Sequence, residues 1–122
     1  MRGIYVLAIA WPLLSAPLAL AHHSHAMFDQ SQEVTIEGNV SGYVFSNPHA
    51  FLYVDVEKDN GETVQYWIEM VNVPTMIRSG MNPNTFQDGD AVTVNMHPLR
   101  NGSPGGSFTT IVAADGNTYQ ER

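Results

Sequence analysis

Cysteine is absent from the 122 residues of this chain. Without cysteine there is no disulfide bridge, no thiolate metal site, no cysteine nucleophile and no lipid-modified N-terminal cysteine. Basic residues are also few: five Lys and Arg stand against twelve Asp and Glu, and the formal net charge is −7 with neutral His. Non-specific nucleic-acid binding draws most of its free energy from neutralised phosphates, so this balance predicts a protein that does not bind nucleic acid. The length limits the chain to one domain.

Catalytic motifs are missing as well. The residues around Ser107 read Gly-Gly-Ser-Phe-Thr, which is not the nucleophile elbow of a hydrolase, and no His-Glu-x-x-His pattern occurs. Asp55 and Glu69 form a carboxylate pair on neighbouring predicted strands, but such pairs are commonly solvated where no cleft surrounds them. We therefore predict that the protein is not an enzyme.

The first 21 residues have the features of an export signal. A single positive charge at Arg2 precedes an apolar run over 4–14, and small residues follow as far as Ala19-Leu20-Ala21. This order is typical of a secretory signal peptide, and the run is too short to span a bilayer. We predict cleavage after Ala21, which leaves residues 22–122 with a formal charge of −8 because Arg2 is lost. No later stretch is apolar enough to anchor the product, so we expect it to be soluble in the periplasm or outside the cell.

The mature chain divides into an arm and a domain. Residues 22–32 are polar, rich in His and without periodicity, and we expect a flexible or loosely docked N-terminal arm. Residues 33–122 alternate between apolar and polar positions. They predict five strands, near 33–45, 50–57, 63–70, 91–96 and 107–114, and a short helix over 75–79. Val40 and Val44 are expected on the inner face of a first strand that its glycines make strongly coiled or bulged.

The order of these elements is β-β-β-α-β-β. Five short antiparallel strands cannot leave both faces wet, and one short helix cannot cover a flat sheet, so the sheet is expected to close on itself. A long coiled first strand and a helix between the third and fourth strands predict an all-β, five-stranded Greek-key barrel of the OB-fold type. A sandwich-like or open five-stranded barrel is the alternative.

Several short motifs occur in a characteristic order along the chain. They are Ala21-His22-His23-Ser24 with Phe28-Asp29, Val34-Thr35-Ile36-Glu37-Gly38, Ser46-Asn47-Pro48-His49, Trp67-Ile68-Glu69, Ile77-Arg78-Ser79-Gly80 and Asp88-Gly89-Asp90-Ala91-Val92. In order and spacing the chain resembles the domain-of-unknown-function 6152 family of small exported bacterial proteins. His25 stands where that pattern suggests an aromatic residue. The resemblance implies a small exported barrel and carries no established activity.

Histidines near the predicted cleavage site suggest a metal site. A mature N-terminal His22 would chelate a metal through its α-amine and its imidazole Nδ1, and His23, His25 and His49 could supply further nitrogens. Tetragonal nitrogen ligation suits Cu(II), so copper is the cofactor we expect if the site exists. The alternative is a solvated His-rich tail that binds metals adventitiously. His49, which follows Asn47-Pro48 at a loop-to-strand junction, has its own alternative as a histidine that caps a turn.

A second group of residues suggests a binding face without metal. Trp67 and Glu69 share one face of the third strand, and Tyr53 lies on the neighbouring strand, so the three could bind a protein, peptide or glycan partner. The alternative is that Trp67 packs under the helix or the arm. His97 is expected to point outward at a strand end. Met70 and Met96 are expected in the core, and the other methionines at the surface.

Two functions follow from these observations. One is an exported protein that binds copper or another divalent metal through His22, with His23, His25 and His49 as partners. The other is a metal-independent OB-type module that binds a periplasmic partner through the face that bears Trp67. A structural accessory subunit is a third possibility that the sequence neither supports nor excludes.

Overall fold

The computed structural model describes residues 26–121. The predicted signal peptide and three of the predicted metal ligands, His22, His23 and His25, lie outside these residues. The elements are β1 (Val34–Val44), β2 (Phe51–Glu57), β3 (Thr63–Glu69), α1 (Val73–Arg78), β4 (Ala91–Pro98), β5 (Gly105–Val112) and β6 (Thr118–Gln120).

Five of the strands close into a barrel. The sheet order is β3-β2-β1-β4-β5-β6, and β3 also pairs with β5, which joins the two ends of the five-stranded part. The predicted closed barrel with one short helix between β3 and β4 is therefore confirmed. Not every pairing is antiparallel, however: β3 and β5 run parallel where Trp67, Ile68 and Glu69 meet residues 105–107.

The apolar residues of each strand alternate into one continuous core. Each fully buried large aliphatic or aromatic side chain contributes about 1.5–3 kcal/mol through the area that it removes from water. The largest fully buried side chains of this core are Leu52, Val54, Ile68, Met76, Met81, Val94, Met96, Phe108 and Ile111, and Phe28 of the arm is fully buried outside it.

Strand β1 contains the irregularity that its glycines predict. Its register with β2 shifts between Val40 and Gly42, so the side chains beyond the bulge turn to the opposite face. Val40 is 3% exposed and Val44 is 45% exposed. The prediction that both valines face inward is wrong, because one extra residue in the strand reverses the alternation.

Helix α1 closes one end of the barrel. It begins two residues before the predicted start, because the side chain of Asn72 accepts a hydrogen bond from the Thr75 amide and caps the first turn. Met76 and Met81 are 0% and 1% exposed, so the expectation of surface positions for them is wrong. Both thioethers fill the end of the barrel, where an unbranched side chain adapts to an irregular space.

Strand β6 is an addition that the sequence did not predict. Its three residues pair with the end of β5, and the Tyr119 ring packs against Phe86 with centroids 5.9 Å apart. Three residues are too few for a recognisable alternation.

Candidate functional site

Aromatic side chains gather on the outer surface of β2 and β3. Tyr53 and Trp67 are direct cross-strand partners, and Phe51 pairs with Glu69 one step along the same face. All three aromatic side chains are partly exposed. We call Phe51, Tyr53 and Trp67 the aromatic face.

A glycine lies beside each of the two paired rings. Gly42 of β1 is the partner of Tyr53, and Gly105 of β5 is the partner of Trp67. A Cβ at Gly42 would lie 3.1 Å from Tyr53 Cδ2, and a Cβ at Gly105 would lie 2.9 Å from Trp67 Nε1. Each ring therefore lies across a neighbouring strand where that strand has no side chain, and the four residues form one row across β1, β2, β3 and β5.

Two phenylalanines flank the Trp67 indole. The Phe28 and Phe51 ring centroids lie 6.0 and 6.1 Å from the Trp67 centroid, and both pairs are tilted. These distances fall in the range of favourable aromatic pairs. The arm thus packs against Trp67, as one of the two interpretations of this residue expects. Part of the Trp67 side chain still reaches solvent.

The arm is firmly attached from Phe28 onward. Phe28 is 1% exposed and forms a bridge with Leu99, and the Asp29 amide donates to the Pro98 carbonyl at 2.8 Å. Hydrogen bonds from Ser31, through both its hydroxyl and its amide, lower the pKa of Asp29. The expectation of a flexible or loosely docked arm is therefore wrong for this part, because one buried aromatic ring attaches a segment that is otherwise polar.

His49 lies beside Glu69 at the end of the barrel that α1 closes. Its Nδ1 is 3.1 Å from the Met70 carbonyl oxygen and 3.4 Å from Glu69 Oε1. A carbonyl oxygen only accepts, so this contact requires a proton on Nδ1 and leaves Nε2 of the neutral ring with a lone pair. The side chain of His49 is 35% exposed and that of Glu69 is 12% exposed.

His97 makes a similar contact elsewhere on the barrel. Its Nδ1 is 2.7 Å from the Gln32 carbonyl oxygen, so the same argument places the proton on Nδ1. The side chain is partly exposed on the outer side of β4, as expected.

Within residues 26–121, no group of three or more His, Cys, Asp or Glu side chains is placed to hold a metal ion. Of the four predicted metal ligands, His49 is the one that lies within these residues, and it lies beside Glu69. A metal site of the predicted kind therefore needs nitrogens from the histidines that precede the described residues.

The charged residues on the barrel strands are all acidic. Glu37, Asp55, Glu57 and Glu69 lie on β1, β2 and β3, and the six strands contain no Lys or Arg. Glu37, Asp55 and Glu57 also line an outer groove of about 790 Å³. The outer surface of these strands is therefore anionic.

Sequence reasoning missed three residues of this site. Phe28, Gly42 and Gly105 determine how the rings of Tyr53 and Trp67 lie, and the sequence analysis proposes none of them as a site residue. A single aromatic residue within an otherwise polar stretch is the feature of the sequence that could have identified Phe28. The glycine contacts carry no such signal, because Gly105 lies far along the chain from Trp67 and meets it only when the barrel closes.

Comparison with known proteins identifies the family. The model of the Family of unknown function (DUF6152) matches residues 13–108, most of the chain. The chain belongs to this family. The resemblance drawn from the short motifs is thereby confirmed. No curated protein matches the chain.

A solved structure supports the fold of this DUF6152 member. The mitochondrial single-stranded DNA binding protein Rim1 of S. cerevisiae matches with a TM-score of 0.50 and 15% identity, over 75% of this chain and 96% of that chain. At this identity the likeness concerns the fold alone, and it confirms the predicted OB-fold barrel. Among the described residues, no helix has the length and apolarity needed to cross a membrane.

Proposed function

We propose that this protein is an exported, non-enzymatic binding module that holds a neutral or cationic segment of a peptide or glycan against its aromatic face. The observation that carries this proposal is the pairing of Tyr53 with Trp67, each laid across a glycine of the next strand. Rings that lie along a sheet present a flat apolar surface. Both sugar rings and extended peptides pack well on such a surface.

The charge of the surrounding strands supports this choice of partner. Four carboxylates and no basic residue lie on the strands that bear or adjoin the aromatic face. OB-folds that bind single strands without sequence preference combine aromatic rings with a positively charged groove. Here the charged residues on the strands that bear the rings are acidic, so phosphates are repelled and basic or uncharged groups are favoured.

Tryptophan emission gives a direct test. The chain that begins at His22 contains Trp67 as its single tryptophan, since Trp11 belongs to the predicted leader. With a metal chelator present, it is titrated with neutral oligosaccharides, lysine-containing peptides and a thymidine oligonucleotide. We expect saturable emission changes with a member of the first two groups and none with the oligonucleotide.

Variants separate the aromatic face from the rest of the surface. Tyr53→Ala is expected to weaken binding at least tenfold, because it removes one of the two paired rings. Ile77→Ala changes a residue that is 59% exposed at the helix end of the barrel and is the matched control. The proposal fails if no oligosaccharide or peptide changes the emission, or if Tyr53→Ala binds as tightly as the parent chain.

A copper site is the second candidate, and the geometry of His49 favours it. The contact between Nδ1 and the Met70 carbonyl fixes the ring and leaves Nε2 as the available nitrogen, which is how proteins commonly orient a metal-binding histidine. With the α-amine and ring of His22 it would complete a three-nitrogen set, and His23 or His25 would be additional donors.

The copper proposal depends on the N-terminus. Cu(II) is titrated into the chain that begins at His22 and into a chain with one extra N-terminal residue, and binding is followed by calorimetry and paramagnetic resonance. We expect a one-to-one nitrogen-ligated site that weakens sharply in the extended chain and in His49→Ala. His97→Ala is the control, because His97 has the same Nδ1 arrangement. Equal affinity in the extended chain would overturn this candidate.

A further inference from the structure

The barrel is closed at one end and open at the other. Helix α1 with Met76 and Met81 fills the end where β3 finishes. At the opposite end, where β1 and β3 begin and β2 and β4 finish, a cavity of about 400 Å³ opens to solvent. We call this cavity the open mouth; its apolar lining includes Val34, Ile36, Val56, Tyr66, Met96 and Leu99.

The volume and lining of the open mouth suit a small molecule. Ligand pockets occupy roughly 300–1,000 Å³ and combine apolar walls with a few polar groups, and the mouths of β-barrels are among their usual places. Met96, a member of the core cluster, is 1% exposed, and Leu99 is 6% exposed, so both side chains are packed on nearly all sides. The cavity therefore has firm apolar walls.

One cation stands at the rim of this cavity. Lys58, the single lysine of the chain, donates from Nζ to the Tyr66 hydroxyl at 3.1 Å and lies 5.1 Å from the centroid of that ring. Within residues 26–121 no carboxylate forms an ion pair with it. Tyr66 faces the barrel interior, so this contact draws the ammonium toward the cavity.

Glu37 is the acidic residue of the cavity wall, and the strand pattern turns its side chain away. It lies between the inward-facing Ile36 and Gly38, and it pairs with Thr93 on the outer face of β4. Its carboxylate belongs to the outer groove, whereas the Lys58 ammonium is tied to an inward-facing ring. The Glu37 carboxylate and the Lys58 ammonium therefore lie on opposite sides of the sheet.

We propose that the open mouth binds a small carboxylate with an apolar body, whose carboxylate meets Lys58 and the Tyr66 hydroxyl while its body enters the barrel. The ammonium supplies the charge complement, and the phenolic hydroxyl supplies a second donor. Val34 and Val56, which are partly exposed, supply the apolar contacts above the buried Met96. Gly105 lines this cavity and also adjoins Trp67, but the three rings of the aromatic face do not line it, and neither proposal depends on the other.

The test uses three probes with the same apolar body. Octanoate, octanol and octylamine are titrated into the chain that begins at His22, and binding is followed by calorimetry and by the NMR shifts of the Val34, Val56 and Met96 methyl groups. We expect octanoate to bind tightest, with one molecule per chain. No saturable octanoate shift at these methyls, or tighter binding of octylamine, would overturn the proposal.

A variant tests the role of the lysine. Lys58→Met keeps an unbranched stem and removes the charge, and it should weaken octanoate binding about tenfold or more while it leaves octanol binding unchanged. Arg78→Met removes a positive charge at the helix end and should change neither. Val34→Phe fills the open mouth and should block both probes. Unchanged octanoate affinity in Lys58→Met or in Val34→Phe, with the fold checked by circular dichroism, would also overturn the proposal.

Discussion

Gly38 of β1 lies close against the backbone of β2 at Asp55. A Cβ at this position would overlap the Asp55 carbonyl oxygen and lie 2.8 Å from Val54 Cγ1, and a backbone atom cannot move aside as a side chain can. Gly38→Ala is therefore expected to lower the free energy of unfolding by about 1–3 kcal/mol. Gly42→Ala is the comparison, because its Cβ would meet only the Tyr53 side chain. Urea unfolding measures both, and equal losses would contradict this account of β1.

The raised pKa of Tyr43 makes the stability of the fold depend on pH in the alkaline range. Burial chiefly, with a smaller effect of Tyr119, raises the pKa of Tyr43 well above its ordinary value of about 10. The folded chain therefore keeps the phenolic proton in a range where the unfolded chain loses it. Stability from this group is complete below about pH 10 and is lost progressively as the pH rises above that value.

Tyr43→Phe removes this titration. It should cost about 1 kcal/mol at neutral pH, because the hydroxyl donates to the Asn82 carbonyl oxygen at 3.3 Å. Its urea midpoint should then fall less steeply than that of the parent chain between about pH 9 and pH 11, the range around the ordinary tyrosine pKa. Tyr53→Phe, which removes a hydroxyl from the outer face of β2, is the comparison variant. Parallel pH profiles for Tyr43→Phe and the parent chain would be inconsistent with the raised pKa.

The attachment of the arm to the barrel depends on the Phe28 side chain. Phe28→Ala should lower the free energy of unfolding by about 3–5 kcal/mol, because a large fully buried ring is replaced by a cavity. The Trp67 emission should also move to longer wavelength, since its flanking ring is lost. Met27→Ala, at a position that is 42% exposed, should change stability by no more than about 0.5 kcal/mol. A Phe28→Ala chain with parental stability and emission would mean that the arm is not held by this ring.

The strands and the helix show which structural features a sequence can predict. Alternation predicted five strands, and the glycines of β1 predicted an irregular strand. Alternation could not place the bulge, so Val44 was assigned to the wrong face. Met76 and Met81 were misplaced for a related reason: periodicity says little about a helix of six residues, and burial there depends on which end of the barrel the helix covers.

For the whole molecule, closure of the barrel predicts a single cooperative unit. Far-UV circular dichroism reports the strands, and Trp67 emission reports the contact between the arm and β3. Because Phe28 packs into the same structure as the strands, both signals should follow one urea transition with one midpoint. An earlier change in emission would show that the arm separates before the barrel unfolds.

The candidate sites were only partly visible in the sequence, because they form when distant segments meet. Trp67 and Tyr53 could be paired from the hairpin that joins β2 and β3. The open mouth could not be found in this way, since β1, β2, β3, β4 and the loop before β5 all contribute to its wall. Lys58 directly follows β2, and nothing in the sequence indicates its contact with the Tyr66 hydroxyl.

The glycines beneath the Tyr53 and Trp67 rings have a consequence for how this surface can diversify. The height of each ring above the sheet is determined by a residue on another strand that has no side chain. Replacing Gly42 with a larger residue would tilt the Tyr53 ring outward and change the contour offered to a partner, although every aromatic residue would be retained, whereas a side chain at Gly105 would also meet the Trp67 backbone carbonyl, which cannot move aside. Two relatives with identical aromatic residues could therefore differ in recognition through positions that contact no ligand.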